Sequence, residues 1–374
     1  MAEAPLAVEA IVANGLCIGC GLCQGIAGPE RIRIAMTPEG RERPHVLSPL
    51  DQGTVARINA VCPGVAVAGP DAGTVPDSFA LDTIWGPAGR IVKGHATDPD
   101  VRFRAAAGGA LSALAIFLLD SRRVDGVLHV RAARDRPMRS EPHVSRTAAE
   151  VMHGAGSRYG PAAPLTRVTE HLDGDQRFAF VGKPCDVSAL RALARIDPRV
   201  DRRVPYMLAL VCGGASELGK SRRVLDRFGV TEDELAVFRY RGYGNPGPTR
   251  IETRDGRAFE LTYNDMWADE ETWQLQFRCK ICADPIGEGA DVAVLDVWPG
   301  GGPTGEDAGF NGIVARTARG LELVDAAIAA GAIAVDGAMT FRDLDVVQPH
   351  QVRKKQAIVD RLAALREAGA PAPR

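Results

Sequence analysis

Eight cysteines carry most of the chemistry that this 374-residue chain can do: Cys17, Cys20, Cys23, Cys62, Cys185, Cys212, Cys279 and Cys282. Cys17-Ile-Gly-Cys20-Gly-Leu-Cys23 is a C-x₂-C-x₂-C triplet, and Cys279-Lys-Ile-Cys282 is a C-x₂-C pair. Two-residue gaps let neighbouring sulfurs converge on one metal centre, whereas disulfide frameworks belong to small secreted chains. The triplet suits a cubic iron–sulfur cluster. Three thiolates wrap it, and the small residues Gly19 and Gly21 let backbone N–H groups point at sulfur. Cys62-Pro63 repeats the Cys-Pro end of the bacterial ferredoxin run, displaced by the insert 24–61. That insert reads as a hairpin: 31–36 alternates, Thr37-Pro-Glu-Gly40 turns, and 41–47 returns. A hairpin brings Cys62 back to the triplet. A zinc ribbon or plain buried thiols are the alternatives, and zinc favours two separated pairs over a triplet.

The other cysteines end apolar runs. Cys185 closes Phe178-Ala-Phe-Val-Gly-Lys-Pro-Cys185, and Cys212 closes Tyr206-Met-Leu-Ala-Leu-Val-Cys212. Two buried strands that each finish in Cys present both thiols along one sheet edge, where open α/β sheets place their ligands. Taken alone, either thiol reads as a small core hydrophobe. With Cys279 and Cys282 they complete a second set of four. Two glycine segments resemble phosphate cradles: Gly108-Gly109 opening a helix, and Gly154-Ala-Gly-Ser157-Arg158-Tyr159, whose guanidinium could fork onto a pyrophosphate. Close packing and a plain turn are the competing readings. No Walker motif is present, and the dinucleotide fingerprint fails after Gly156. Proton donors come from His95, His129, His153 and Asp296, with nothing to separate them, so the catalytic residue is unassigned.

The elements that position these groups emerge from periodicity. Strands are expected at 91–95, 124–131, 178–181, 205–211, 290–297 and 313–316. Helices are expected at 105–119, 165–172, 186–196, 218–228, 321–330 and 352–368. Segment 151–159 reads as a loop. Runs 250–253 and 258–262 form a hairpin through Asp255-Gly256, and the last residues, 369–374, read as frayed. The fold class is α/β (α+β): an N-terminal ferredoxin-like module, then a mixed α/β domain. The expected organisation is 1–72 for the module and 73–84 for a linker. Two parts of the main domain come next at 85–170 and 171–345, then a C-terminal helix and tail at 346–374.

Composition excludes several classes. The chain is 45% hydrophobic and 25% charged with a net charge of −2, which argues against disorder and gives no electrostatic case for nucleic acid or an anionic membrane. Aromatics at 5% do not make a base-stacking platform. The longest apolar run, 105–119, is interrupted and shorter than the ~20 residues of a spanning helix. The N-terminal stretch carries Glu3 and Glu9 without Lys or Arg, unlike a secretory signal. A cytoplasmic protein is expected.

Several segments together resemble the coenzyme F420 hydrogenase/dehydrogenase beta-subunit family, which includes 7-hydroxymethyl chlorophyll a reductase and a ferredoxin-dependent divinyl chlorophyllide 8-vinyl reductase. They are Ala107-Gly-Gly-Ala-Leu-Ser112, Gly156-Ser-Arg-Tyr159, Val181-Gly-Lys-Pro-Cys-Asp-Val-Ser-Ala-Leu190, Cys212-Gly213, Phe238-Arg-Tyr-Arg-Gly242, Cys279-Lys-Ile-Cys-Ala-Asp284, Ala290-Asp-Val-Ala-Val-Leu-Asp296 and Gly312-Ile-Val-Ala-Arg-Thr317. The resemblance implies FAD beside a [4Fe–4S] cluster held by Cys185, Cys212, Cys279 and Cys282. It implies flavin contacts at Gly108, Gly109, Ser112, Ser157, Arg158 and Tyr159. The N-terminal triplet resembles the ferredoxin part of longer members, giving two [4Fe–4S] clusters in all. Lys183 departs from the family, where a smaller residue is common, and so does Ala107, where a polar one is. The resemblance thus implies an iron–sulfur flavoprotein fed by ferredoxin or a partner dehydrogenase subunit and reducing a small organic substrate. The alternative is a beta subunit exchanging electrons with a deazaflavin (F420) or another soluble carrier. A homo-oligomer is compatible with either.

Overall fold

The computed structural model describes residues 5–298, 302 and 308–374; Glu3 lies outside them. In the N-terminal part, β1 (Ile32–Met36) and β2 (Glu42–Val46) pair antiparallel with Ile32 opposite Val46. Their turn closes through Gly40 N–H to Thr37 O at 2.9 Å, with Gly40 at φ +87°. The hairpin expected from the alternation is there. The helix Gln52–Val61, capped by the Asp51 carboxylate, then carries the chain to Cys62. It was not legible as a helix, because β-branched residues break up its apolar stripe.

After the small hairpin β3 (Ala80–Asp82) and β4 (Gly86–Ala88) comes the main sheet. It contains β5 (Arg90–Ala96), β6 (Gly126–Ala132), β7 (Ser140–Ser145), β8 (Phe178–Gly182) and β9 (Tyr206–Leu210). A separate three-stranded sheet comes next, β10 (Leu235–Arg239), β11 (Thr249–Thr253) and β12 (Ala258–Leu261). The main sheet then resumes with β13 (Val292–Asp296), β14 (Asn311–Ala315) and β15 (Ile333–Ala338). Among the described residues its order is β15-β5-β14-β13-β9-β8-β6-β7. The inner four, β13, β9, β8 and β6, run parallel, and the flanking pairings are antiparallel. The inner strands read as continuous apolar runs because both faces are covered.

On one face the helices Ala110–Asp120 and Ala318–Ala329 bury Leu114, Leu118 and Leu323 against Val92, Leu208 and Ile313. On the other, the helix Pro184–Ala194 packs Leu190 and Leu193 on Phe180 and Met207. Ile18, Leu22 and Val61 join that second core, so the N-terminal module shares a hydrophobic interior with the sheet. Ile11, Leu16 and Val65 also pack with Ile281 and Ile358.

Four differences from the sequence reading have physical causes. The helix expected from 105 begins at Ala110, because Gly109 adopts φ +74° as its N-cap. Part of the expected loop 151–159 is the end of a helix, Ala148–His153, capped by the Thr147 hydroxyl. The edge strands β7, β10 and β15 mix polar and apolar residues and escaped the periodicity. The tail expected to fray is docked: Arg374 N–H reaches Val65 O, and Val67 N–H reaches Arg374 O, each at 2.9 Å. No helix among the described residues is long and apolar enough to cross a membrane.

Candidate redox site

Cys17, Cys20, Cys23 and Cys62 line one hollow of about 380 Å³. Cys185, Cys212, Cys279 and Cys282 line another of about 320 Å³. None forms a disulfide. The grouping expected from spacing and from the family resemblance is therefore the grouping in space. Cys23 sits in the first turn of the helix Leu22–Ala27, and Cys62 caps the C-terminus of Gln52–Val61. Cys185 lies in the first turn of Pro184–Ala194, at the positive end of the helix dipole. Cys212 lies just after β9, and Cys279 is in the short helix Phe277–Lys280.

Burial pushes Cys62 up to about 11 and Cys282 to about 12, and raises Cys17, Cys20, Cys23, Cys185 and Cys212 too. The Cys279 sulfur accepts from Ala215 N–H at 3.4 Å. Backbone N–H groups of Gly19, Leu22, Gln24, Gly64 and Gly214 oppose the rise at Cys17, Cys20, Cys23, Cys62 and Cys212. A hollow ringed by four thiols and edged by N–H donors matches the donor set of a cubic cluster. No group of three or more His, Cys, Asp or Glu among the described residues is gathered as for a single metal ion. The thiols fit the implied clusters. Ile18 lines both hollows and stands between them.

Two larger cavities lie at the carboxyl ends of the parallel strands, where such sheets take ligands. The first, about 1120 Å³, is bordered by Gly109, Ser112, Ser157 and Arg158, and by Lys183 after β8. The start of the helix Ala110–Asp120 faces it, held by Asn311 Oδ1 accepting from Ala110 N–H at 3.0 Å. Free N–H donors and the dipole make that helix start a place for a phosphate group. The second cavity, about 1510 Å³, shares Ser157, Arg158, Lys183 and Asp296 with the first. Its walls are aromatic: Tyr159 lies against Trp267 with centroids 4.2 Å apart, and Tyr263 against Trp298 at 4.9 Å. Cys212, Gly214 and Ala215 line both this cavity and the second hollow.

The expected flavin contacts divide. Gly109, Ser112 and Ser157 border the first cavity, and Tyr159 belongs to the second. Gly108 lines neither; a Cβ there would lie 2.9 Å from Asn311 N, so it is glycine for close packing. Arg158 borders both cavities, but its guanidinium donates to the carbonyls of Pro137, Met138, Arg139 and Phe238 and to Ser140 Oγ. The expected pyrophosphate fork is thus replaced by a role in fixing the loop. Among the proton-donor candidates, exposed His153 and half-buried His95 line neither cavity. His129 borders the first, with Nε2 2.7 Å from Ser145 Oγ and Nδ1 3.0 Å from Val130 O. Burial pushes it down to about 4, so it is neutral at pH 7. Asp296, at the end of β13, stands at the junction of the cavities and accepts from Arg241 at 2.7 Å.

Two charged groups escaped the sequence reading. Lys183 lines both cavities and the second hollow, with Nζ 2.7 Å from the buried Asp186 carboxylate. Burial pushes this ammonium down, but Asp186 and the Cys185 thiol more than reverse it, so Lys183 stays charged. Arg241 is buried; it donates to Asp296, to Tyr159 OH at 3.1 Å and to Ala106 O, and lies 5.2 Å from the rings of Tyr263 and Trp298. The Phe238–Gly242 motif held the signal for Arg241, and the departure at Lys183 held the other.

The chain is a mixed α/β protein with two cavities at the parallel ends of its main sheet and two four-thiol hollows beside them. Residues 91–170 match the N-terminal model of the family described as coenzyme F420 hydrogenase/dehydrogenase, beta subunit, and residues 175–340 match the C-terminal model of the same family. The chain belongs to the coenzyme F420 hydrogenase/dehydrogenase beta-subunit family. It is 25% identical over 293 residues to the coenzyme F420 hydrogenase subunit beta of Methanococcus voltae, covering 75% of this chain and 96% of that one. It is 26% identical to the F420-dependent formate dehydrogenase subunit beta of Methanocaldococcus jannaschii, covering 62% of this chain and 57% of that one. A chain of the F420-reducing [NiFe] hydrogenase complex from Methanosarcina barkeri shares the fold, with TM-score 0.59 and 19% identity over 77% of this chain and 96% of that one. The family spans begin after the first cysteine set.

Proposed function

We propose that this chain is the electron-transferring beta subunit of an oxidoreductase complex. It would exchange electrons between a partner dehydrogenase or hydrogenase subunit and a soluble two-electron carrier of the deazaflavin (F420) kind. The relatives are named as hydrogenase and formate dehydrogenase beta subunits, and this favours the subunit reading over a free-standing reductase of an organic substrate. On this reading Cys17, Cys20, Cys23 and Cys62 hold one [4Fe–4S] cluster, and Cys185, Cys212, Cys279 and Cys282 hold the second. FAD takes the first cavity, with its phosphates at the helix start by Gly109 and Ser112. The carrier takes the aromatic cavity. Bound there, the clusters supply single-electron steps and the flavin gathers them into two-electron chemistry.

The chain's own residues do the positioning. Gly109 exposes the helix N–H groups, and Tyr159, Trp267, Tyr263 and Trp298 offer flat surfaces that exclude water from a planar ring. Lys183 puts a fixed positive charge where both cavities meet the second thiol set, which favours negative charge on a reduced ring. Asp296 and Arg241 hold the aromatic wall in place. The observation that carries the reading is continuity: Cys212 borders both a thiol hollow and the aromatic cavity. The first cysteine set, outside the family spans, supports a second reading for the donor, in which ferredoxin delivers the electrons.

Anaerobic purification, with iron, sulfide, flavin and copurifying subunits quantified, tests this. About eight irons are expected from two four-iron clusters, together with one FAD and a large partner subunit. The Cys282→Ser variant should lose about half the iron and stop flavin reduction by the donor while sparing the N-terminal signal. Bound zinc, or a flavin-free chain with intact iron, refutes the assignment.

A further inference from the structure

Two arginines are buried between the thiol sets, and no carboxylate among the described residues forms an ion pair with either. Arg43, on β2, is 6% exposed; it donates to Glu42 O and to Gln276 Oε1, each at 2.7 Å. Gln276 O in turn accepts from Cys279 N–H at 2.9 Å. Arg278 is 3% exposed, with Nε and Nη2 on Pro63 O at 3.1 and 2.8 Å, and Nη1 on Ile281 O at 2.9 Å. Pro63 is next to Cys62 and Ile281 next to Cys282, so this guanidinium ties one cysteine set to the other.

A buried guanidinium with only neutral acceptors carries a large desolvation cost unless negative charge lies nearby. The contacts of both arginines reach both thiol sets: Arg278 bridges the carbonyls beside Cys62 and Cys282, while Arg43 holds Glu42 O, which packs against Gly19 between Cys17 and Cys20, and Gln276, which accepts from Cys279 N–H. We propose that Arg43 and Arg278 are shared counter-cations that hold the reduction potentials of both clusters up together. The proposal rests on the two-cluster reading. Reduction adds one electron and one negative charge to a cluster, with no bond made or broken. A cation between the sets stabilises that charge on either side.

The test uses anaerobically isolated holoprotein with Arg43→Gln, Arg278→Gln and the charge-keeping Arg43→Lys and Arg278→Lys. Iron content is measured, then the potential of each cluster signal by EPR-monitored titration. The Gln variants should keep about eight irons and shift both signals toward the oxidised form by about tenfold at fixed potential, about 59 mV for one electron. The Lys variants should restore most of that shift. Unmoved potentials, or movement of one signal alone, with iron retained, would overturn the proposal and leave the two-cluster reading standing. Wild-type protein without about eight irons removes the clusters, and the proposal with them. Should one Gln variant fail to fold, the other decides alone, and should both fail, Arg43→Met and Arg278→Met are read the same way: both signals are expected to move, and an unmoved signal would overturn the sharing.

Discussion

Replacing Lys183 by Met tests the charged junction between the cavities and the second thiol set. Lys183 Nζ lies 2.7 Å from Asp186 Oδ2, and the Asp186 side chain is 1% exposed. Asp186 Oδ2 also accepts from Lys183 N–H at 3.2 Å, which starts the helix that carries Cys185. Removing one partner of a buried pair leaves an uncompensated charge and costs ~3–5 kcal/mol. Unfolding entropy of ~2.1 cal/mol/K per residue over 374 residues comes to roughly 0.8 kcal/mol/K, so the melting temperature should fall by about 4–6 °C. Asp186→Leu should cost a similar amount. The double variant Lys183→Met/Asp186→Leu should recover most of the loss, because an apolar pair replaces an ionic one. Anaerobic thermal melts at one scan rate measure all four proteins. A Lys183→Met melt within about 1 °C of wild type, or a double variant that loses the sum of the singles, refutes the coupling.

Gly109→Ala should cost ~1–2 kcal/mol and lower flavin retention on gel filtration, because φ is +74° and the new Cβ would sit 3.0 Å from Val101 O. Apoprotein should lose stability in urea melts as pH climbs from 9 toward 11 and holoprotein should not: unfolded thiols ionise near 9, whereas the folded Cys62 thiol holds its proton to about 11, so the unfolded state binds fewer protons across that window. Trp267→Leu should raise the KM for a deazaflavin carrier about 2- to 12-fold, from ~0.5–1.5 kcal/mol per aromatic pair, with flavin content unchanged in an absorbance assay.

The cysteine grouping was legible because residue type and two-residue spacing are local features, and the sets 17–62 and 185–282 needed only the fold to close them. The inner strands were legible for the same kind of reason: covered on both faces, Phe178–Gly182 and Val292–Asp296 are unbroken apolar runs. What the sequence hid depends on long-range packing. Arg278 meets Pro63 across 215 positions, and nothing local separates it from a surface arginine. Arg158 carried the right side chain for a phosphate, yet the carbonyls of 137–139 claim it. Edge strand β7 escaped because Pro142 and the polar residues around it suit an edge and break alternation.

The placement of the N-terminal module bears on how it could work. A ferredoxin-like appendage on a flexible linker would sample many distances, and tunnelling falls off exponentially with distance. Here Ile18, Leu22 and Val61 are buried in the same core as Phe180 and Met207. Arg43 and Arg278 tie the hairpin and the Cys62 turn to the segment 276–281, and Arg374 pairs with Val65 and Val67. Each tie ends within a few residues of a cysteine. The spacing between the thiol sets is therefore set by the same packing that holds the sheet. Ile18 lines both hollows, and Cys212 borders the second hollow and the aromatic cavity. On the proposed relay, loosening any tie would therefore lengthen the step between the thiol sets before it disturbed the step to the aromatic cavity.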